Sequence, residues 1–174
     1  MKYQIIYADP PWPYRNKNTG GSMKSGVSAK YPTMELRDIK LLPVARLADL
    51  NCACFLWVPV PLLPDGLSVL ETWGFEYKTA IFWRKIMSLG MGFWFRGQVE
   101  ICLLGIVGKV KAFRIQKANF IQSKAGRHSE KPEEMRKLIE ETGLLPRLEL
   151  FGRKKAEGWD CWGNEVESDI VMPR

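Results

Sequence analysis

Four consecutive residues, Asp9-Pro10-Pro11-Trp12, bring together a carboxylate, two prolines and an indole. Adjacent prolines lock φ and remove two backbone donors, so the stretch is stiff and its carbonyls are expected to face a cavity or water. A carboxylate and a carbonyl held in this way suit an exocyclic amine such as the 6-amino group of adenine. That amine is a poor nucleophile because its lone pair is delocalised into the ring. Asp9 accepting one hydrogen and the Pro10 carbonyl the other would draw the nitrogen toward tetrahedral geometry. The lone pair is then localised for attack on an electrophilic methyl group. An aromatic face, Trp12 or Tyr14, would hold the base by stacking. No strong base is needed before attack, because the nitrogen sheds its proton easily once alkylated; the chemistry is positioning plus electrostatics. A strand-ending turn with a packing Trp is the plainer alternative.

The apolar run Tyr3-Gln4-Ile5-Ile6-Tyr7-Ala8 reads as a short buried strand ending at the motif. In an open α/β sheet that end is where ligands bind. Residues 15–30 carry glycines and serines without apolar periodicity and read as a mobile lid or binding loop. Thr33 is an expected N-cap for a helix from Met34, with Leu36, Ile39 and Leu47 among its apolar positions and an interruption at Pro43. Cys52 to Val60 predicts a central strand ending at Pro59, with Trp57 packed in the core. Leu63, Leu67, Leu70 and Trp73 predict a helix closed by Gly74, and Glu76 to Trp83 another strand. A second mobile loop is expected at about residues 84–98. Glu100 opens a strand through Gly105, and a β-hairpin is expected to follow, turning at Gly108 with Lys109 to Ile115 returning. Pro132 suits the first turn of a helix with Met135, Leu138 and Ile139 buried. Leu148 to Arg153 reads as a strand and a tight turn. The alternation implies an α/β three-layer sandwich, a single domain over residues 1–174.

Hydrophobic residues make up 46% of the 174, which places the chain among globular proteins. No apolar run reaches membrane-span length and no secretory leader precedes the first strand, so a cytoplasmic protein is expected. Cys52, Cys54, Cys102 and Cys161 lie in apolar segments without ligand spacing, beside a single histidine, His128. Buried free thiols are expected, and no metal. The net charge of +7 suits a polyanionic partner. Basic residues interleave with aromatics such as Trp83, Phe93, Trp94 and Phe95, a pattern that favours nucleic acid. The absence of Gly-x-Gly-x-x-Gly argues against a dinucleotide site.

The sequence resembles the MT-A70 family of adenine-N6 methyltransferases. The resemblance rests first on Asp9-Pro10-Pro11-Trp12 after a hydrophobic strand. It continues through Tyr31-Pro32-Thr33-Met34, Trp73-Gly74-Phe75-Glu76, Phe82-Trp83-Arg84-Lys85, Glu100 to Gly105 and Gly126 to Glu133. It ends on Leu148-Glu149-Leu150-Phe151-Gly152-Arg153 and Trp159 to Glu165, spanning about residues 3 to 165. The family implies a Rossmann-like methyltransferase fold with a permuted motif order, catalytic motif first and cofactor motifs last. It implies methyl transfer from S-adenosylmethionine, with Asp9, Pro10, Pro11 and Trp12 catalytic. Asp9 also neighbours the cofactor. Lys131, at a helix N-terminus where anions bind well, would take the cofactor carboxylate. Glu149 and Arg153 fit its ribose, Asn164 and Glu165 its adenine. Trp12, Tyr14, Lys30, Tyr31, Arg84 and Arg96 would contact substrate. Lys155 and Ala156 stand where the family has a His-Asn pair, and no earlier acidic segment is present, so cofactor binding is expected to rest on fewer contacts. DNA is the expected substrate, with adenine in RNA the alternative and a target base flipped out of any duplex. A non-catalytic nucleic-acid-binding subunit, and an enzyme acting on another amine, are rival readings that the intact Asp9 motif disfavours. A monomer or a homodimer is expected.

Overall fold

The computed structural model describes residues 1–13, 33–86, 94–111, 113, 115–126 and 130–173. The expected loop at 15–30, with Tyr14, Lys30 and Tyr31, lies outside the described residues, as does His128.

Seven strands form one sheet: β1 (Tyr3–Ala8), β2 (Ala48–Val58), β3 (Glu76–Ile86), β4 (Val99–Val107), β5 (Phe120–Lys124), β6 (Arg147–Leu150) and β7 (Asp160–Trp162). Their order across the sheet is β5-β3-β4-β2-β1-β6-β7. β1 runs parallel to β2 and β6, β6 parallel to β7, and β3 parallel to β5; β4 is antiparallel to both its neighbours. From β1 the chain leaves toward β2 on one side, and it later returns to β6 on the other. The strand order therefore reverses at β1, and in open α/β sheets ligands bind beyond the carboxyl ends of the strands at such a reversal.

The central strands are apolar on both sides because both sides are covered. In β2, Cys52, Cys54, Leu56 and Val58 enter one core, while Ala53, Phe55 and Trp57 enter the other. The first core is closed by α1 (Leu36–Leu41) and α2 (Leu63–Thr72) through Ile39, Val69 and Leu70. The second is closed by α3 (Glu133–Glu140) through Met135 and Ile139. This is the expected three-layer α/β sandwich. A register shift between Tyr3 and Ile5 re-phases β1, so that these residues, two apart, enter different cores. All four cysteines are buried free thiols.

Several expectations need correction. α1 starts at Leu36 with Glu35 as its cap, because Met34 N is already bonded to Pro11 O at 2.9 Å. Leu47 falls after a separate 3-10 turn, Val44–Arg46. β3 runs through Ile86, so Arg84 belongs to a strand and not to the following loop. No hairpin follows Gly108: among the described residues 109–119 none is strand, and the next strand, β5, joins β3 in parallel. β4 already has β2 on one edge and β3 on the other, so a returning strand had no free edge to pair with. Gly74 does close α2, with φ of 87°.

Candidate active site

Asp9 is the first residue beyond β1. Ala8 is level with Leu150 and Tyr7 with Glu149 on the neighbouring β6. This register sets the Asp9 and Glu149 carboxylates side by side at the switch point. Lys131 reaches in from just before α3, its Nζ 3.0 Å from Asp9 Oδ2 and 3.0 Å from Glu100 Oε2. Glu100 arrives on β4, whose antiparallel direction puts its beginning at this same edge. Lys85, near the end of β3, pairs with Glu100 from the other side. Two carboxylates and two ammonium groups from four distant segments thus alternate in one chain. The Lys131 side chain is 14% exposed and its ammonium lies 5.5 Å from the centre of the Trp57 ring.

The charges are unequal in consequence. Burial pushes the Asp9 carboxyl above its ordinary pKa, and Lys131 offsets only part of this. Burial also pushes Glu100 up, but Lys131 and Lys85 together outweigh it and leave it below the ordinary value. Lys131 is penalised by burial, yet its two carboxylates hold it above a free lysine. The cation is therefore firmly charged, while the Asp9 carboxyl is shifted toward its neutral form.

The motif itself is rigid. Trp12 N donates to Pro10 O at 2.8 Å, and Pro11 O accepts from Met34 N. These carbonyls are bonded within the chain and do not simply face a cavity; a carbonyl has a second lone pair, so Pro10 O can still accept. Trp12 is 6% exposed and its Nε1 donates to Trp57 O at 2.9 Å. Its indole packs in the core and anchors the loop, where the sequence suggested a stacking face for the base. Trp57 is buried as expected, and its Nε1 donates to Tyr7 Oη at 2.7 Å.

The other residues expected at the cofactor lie in β6 and on the loops after β6 and β7. Glu149 is held by Arg136 of α3. Arg153 Nε lies 3.5 Å from Glu165 Oε1, and Asn164 is exposed beside it. The two loops touch backbone to backbone: a Cβ on Gly163 would fall 2.1 Å from Gly152 O. Of the residues expected at the substrate, Arg84 is exposed, with Nη1 3.5 Å from Gln122 Oε1, and Arg96 is exposed on the β3–β4 connection. Trp94 and Phe95 on that connection are 93% and 88% exposed.

Asp9, Lys131 and Glu149 are thus brought together. Arg153, Asn164 and Glu165 form a second group on the same edge, and Arg84 and Arg96 stand at the rim. Sequence reasoning missed Glu100, Lys85 and Arg136 as site residues. Glu100 carried one signal, an acidic residue opening an otherwise apolar strand.

Residues 3–165 match the MT-A70 family. The chain belongs to that family. It is 34% identical to the type II methyltransferase M.MunI of a Mycoplasma species, over 99% of this chain and 82% of that protein. It is 27% identical to the N(6)-adenosine-methyltransferase subunit METTL3 of Danio rerio, over 95% of this chain and 28% of that protein. To the human N(6)-adenine-specific methyltransferase METTL4 it is 28% identical, over 94% of this chain and 37% of that protein. The chain spans most of the Mycoplasma relative but well under half of the other two. Family membership makes the chain a methyltransferase, and the observed α/β sheet is consistent with a Rossmann-like methyltransferase fold. Among the described residues no group of three His, Cys, Asp or Glu side chains is placed to hold a metal ion, and no helix is long and apolar enough to cross a membrane.

Proposed function

We infer that the protein transfers a methyl group from S-adenosylmethionine to the 6-amino group of adenine in DNA. The observation that carries this reading is Asp9 at the switch point, with Lys131 and Glu149 beside it. The donor set fits the cofactor: an ammonium for its carboxylate, a carboxylate for its ribose diol and an exposed side-chain amide for its adenine edge. Lys131, Glu149, Arg153, Asn164 and Glu165 would hold it. When bound, it supplies an electrophilic methyl group on a sulfonium.

The chain's own work is on the amine. Asp9 accepts one amine hydrogen and Pro10 O the other, which localises the nitrogen lone pair. The Trp12 anchor and the Pro10–Trp12 turn keep both acceptors fixed, so little reorganisation remains at the moment of transfer. Lys131 balances the Asp9 charge and offsets part of the burial penalty on its ionised form. With Trp12 packed inward, stacking on the base is left to Tyr14 and to residues of the rim, where Trp94, Phe95, Arg84 and Arg96 present aromatic and cationic surface.

DNA is favoured by the 34% identity to the type II methyltransferase M.MunI over 99% of this chain and 82% of that protein, against 27% to METTL3. Those relatives are the ground for the alternative, adenine in RNA. The deciding experiment is incubation with labelled S-adenosylmethionine and either DNA or RNA, followed by nucleoside analysis. N6-methyldeoxyadenosine confirms the reading, N6-methyladenosine from RNA alone moves it to the alternative, and no product on either leaves a binding subunit.

A further inference from the structure

Arg136 lies in the middle of α3, where the local pattern would leave a guanidinium in solvent. It is turned onto the sheet instead. Its Nη2 donates to Glu149 Oε2 at 2.5 Å, with the two side chains 17% and 15% exposed. The guanidinium lies over Trp159, 5.9 Å from the ring centre. Trp159 is held in turn: its Nε1 donates to Glu140 Oε1 at 2.8 Å, and its ring tilts against Tyr7 at 5.9 Å. Arg147 also lies over that ring, at 5.8 Å. The clamp is costly, because Arg136 Nε is buried without a hydrogen-bond partner. An arginine on an exposed helix face would avoid that loss. The bond also takes one carboxylate oxygen and not both.

We propose that Arg136 is a positioning residue for the cofactor: it occupies one oxygen of Glu149 and presents the other to the ribose hydroxyls of S-adenosylmethionine. The proposal rests on the ribose role of Glu149 given above. Glu149 is faced by Arg136 from α3, by Asp9 and Tyr7 from β1 and its end, by Cys161 from β7 and by Lys154 from the loop after β6. Burial pushes the Glu149 carboxyl up, Arg136 pulls it back, Asp9 adds to the rise and Lys154 opposes it. A protonated carboxyl loses part of its acceptor capacity. Removing Arg136 therefore disorders the carboxyl and also lets it protonate at higher pH.

The test is titration calorimetry with S-adenosylhomocysteine, the demethylated cofactor, on Arg136→Met, Arg136→Lys and Glu149→Gln between about pH 6 and 8.5. Melting curves and DNA affinity are recorded alongside. Arg136→Met is expected to bind at least about tenfold more weakly at pH 7. Its affinity should rise with pH, approaching about one log unit per pH unit where Glu149 is protonated. Arg136→Lys should recover part of the affinity and flatten the profile, with DNA affinity unchanged. Wild-type affinity and a flat profile in Arg136→Met, beside a loss in Glu149→Gln, overturn the proposal and leave the role of Glu149 standing. Tighter binding in Arg136→Met overturns it too, since Arg136 would then compete with the ligand. A loss that is independent of pH and equal in Arg136→Lys assigns the residue to stability alone and also overturns it. Unchanged affinity in well-folded Glu149→Gln removes the ribose reading itself.

Discussion

Lys131→Met is the substitution whose consequence can be worked furthest. The ammonium is shared by two carboxylates at 3.0 Å each, all three side chains less than a third exposed. At an effective dielectric constant of about 20, each pair contributes on the order of 5 kcal/mol before desolvation. Withdrawing the three charges from water cancels most of that, while breaking a buried pair typically costs about 3–5 kcal/mol. Methionine retains aliphatic packing on Trp57, and Lys85 still holds Glu100. The net loss near pH 7.5 is therefore about 2–4 kcal/mol, a melting shift of roughly 5–15 °C for a chain of this size. The loss must depend on pH. Glu100 is depressed in the folded protein, so its stabilisation is present above its unfolded pKa and lost as pH falls through the folded one. Asp9 is raised, so its contribution has the opposite sign: stability declines as pH climbs from the unfolded toward the folded value. Without Lys131 both carboxyls move up, and the mutant recovers relative to wild type as they protonate. The expected difference is largest at neutral pH and shrinks as pH falls through the range in which the two carboxyls protonate. Urea unfolding of both proteins across this range measures it. Parallel methyl-transfer assays should show the acid limb of activity moving to higher pH in the mutant. A destabilisation equal at both ends of the range, or larger in acid, would refute the shared-cation account of this centre.

Asp9→Asn leaves Lys131 its Glu100 partner, so the fold should survive while methyl transfer drops at least about 100-fold by nucleoside analysis; activity above a tenth of wild type would remove Asp9 from the reaction. Asn164 is exposed, so Asn164→Ala should leave melting nearly unchanged while S-adenosylhomocysteine affinity falls about 5- to 150-fold by calorimetry. Nucleic-acid affinity should fall steeply with salt, as counterion release requires, and a flat dependence would show that the +7 charge serves only solvation. Trp94→Ala combined with Phe95→Ala should weaken binding by about 1–3 kcal/mol per base that the rings stack, without affecting cofactor binding. Unchanged DNA affinity in that variant would take the β3–β4 connection out of the substrate site.

By itself the sequence determined the elements whose apolar residues report their own burial. Tyr3–Ala8 appears as a strand buried on both sides, and the helices closed by Gly74 and opened after Pro132 sit where periodicity and capping put them. It also determined the Asp9 motif and the family, because a rigid acceptor pair after a strand is a local arrangement written in consecutive residues. Partners were another matter. The hairpin expected after Gly108 failed because strand pairing depends on which edges are free, and β4 had none. Trp12 could not be assigned to stacking or packing until β2 brought the Trp57 carbonyl to its indole. Lys131 looked like a helix-terminus anion site; only the folding of β1 and β4 around it made it the shared cation of Asp9 and Glu100. Arg136 acquires its partner only because β6 places Glu149 beneath it. Electrostatic pairing depends on distance in space, and residues far apart in the chain acquire that distance only when the sheet order is set.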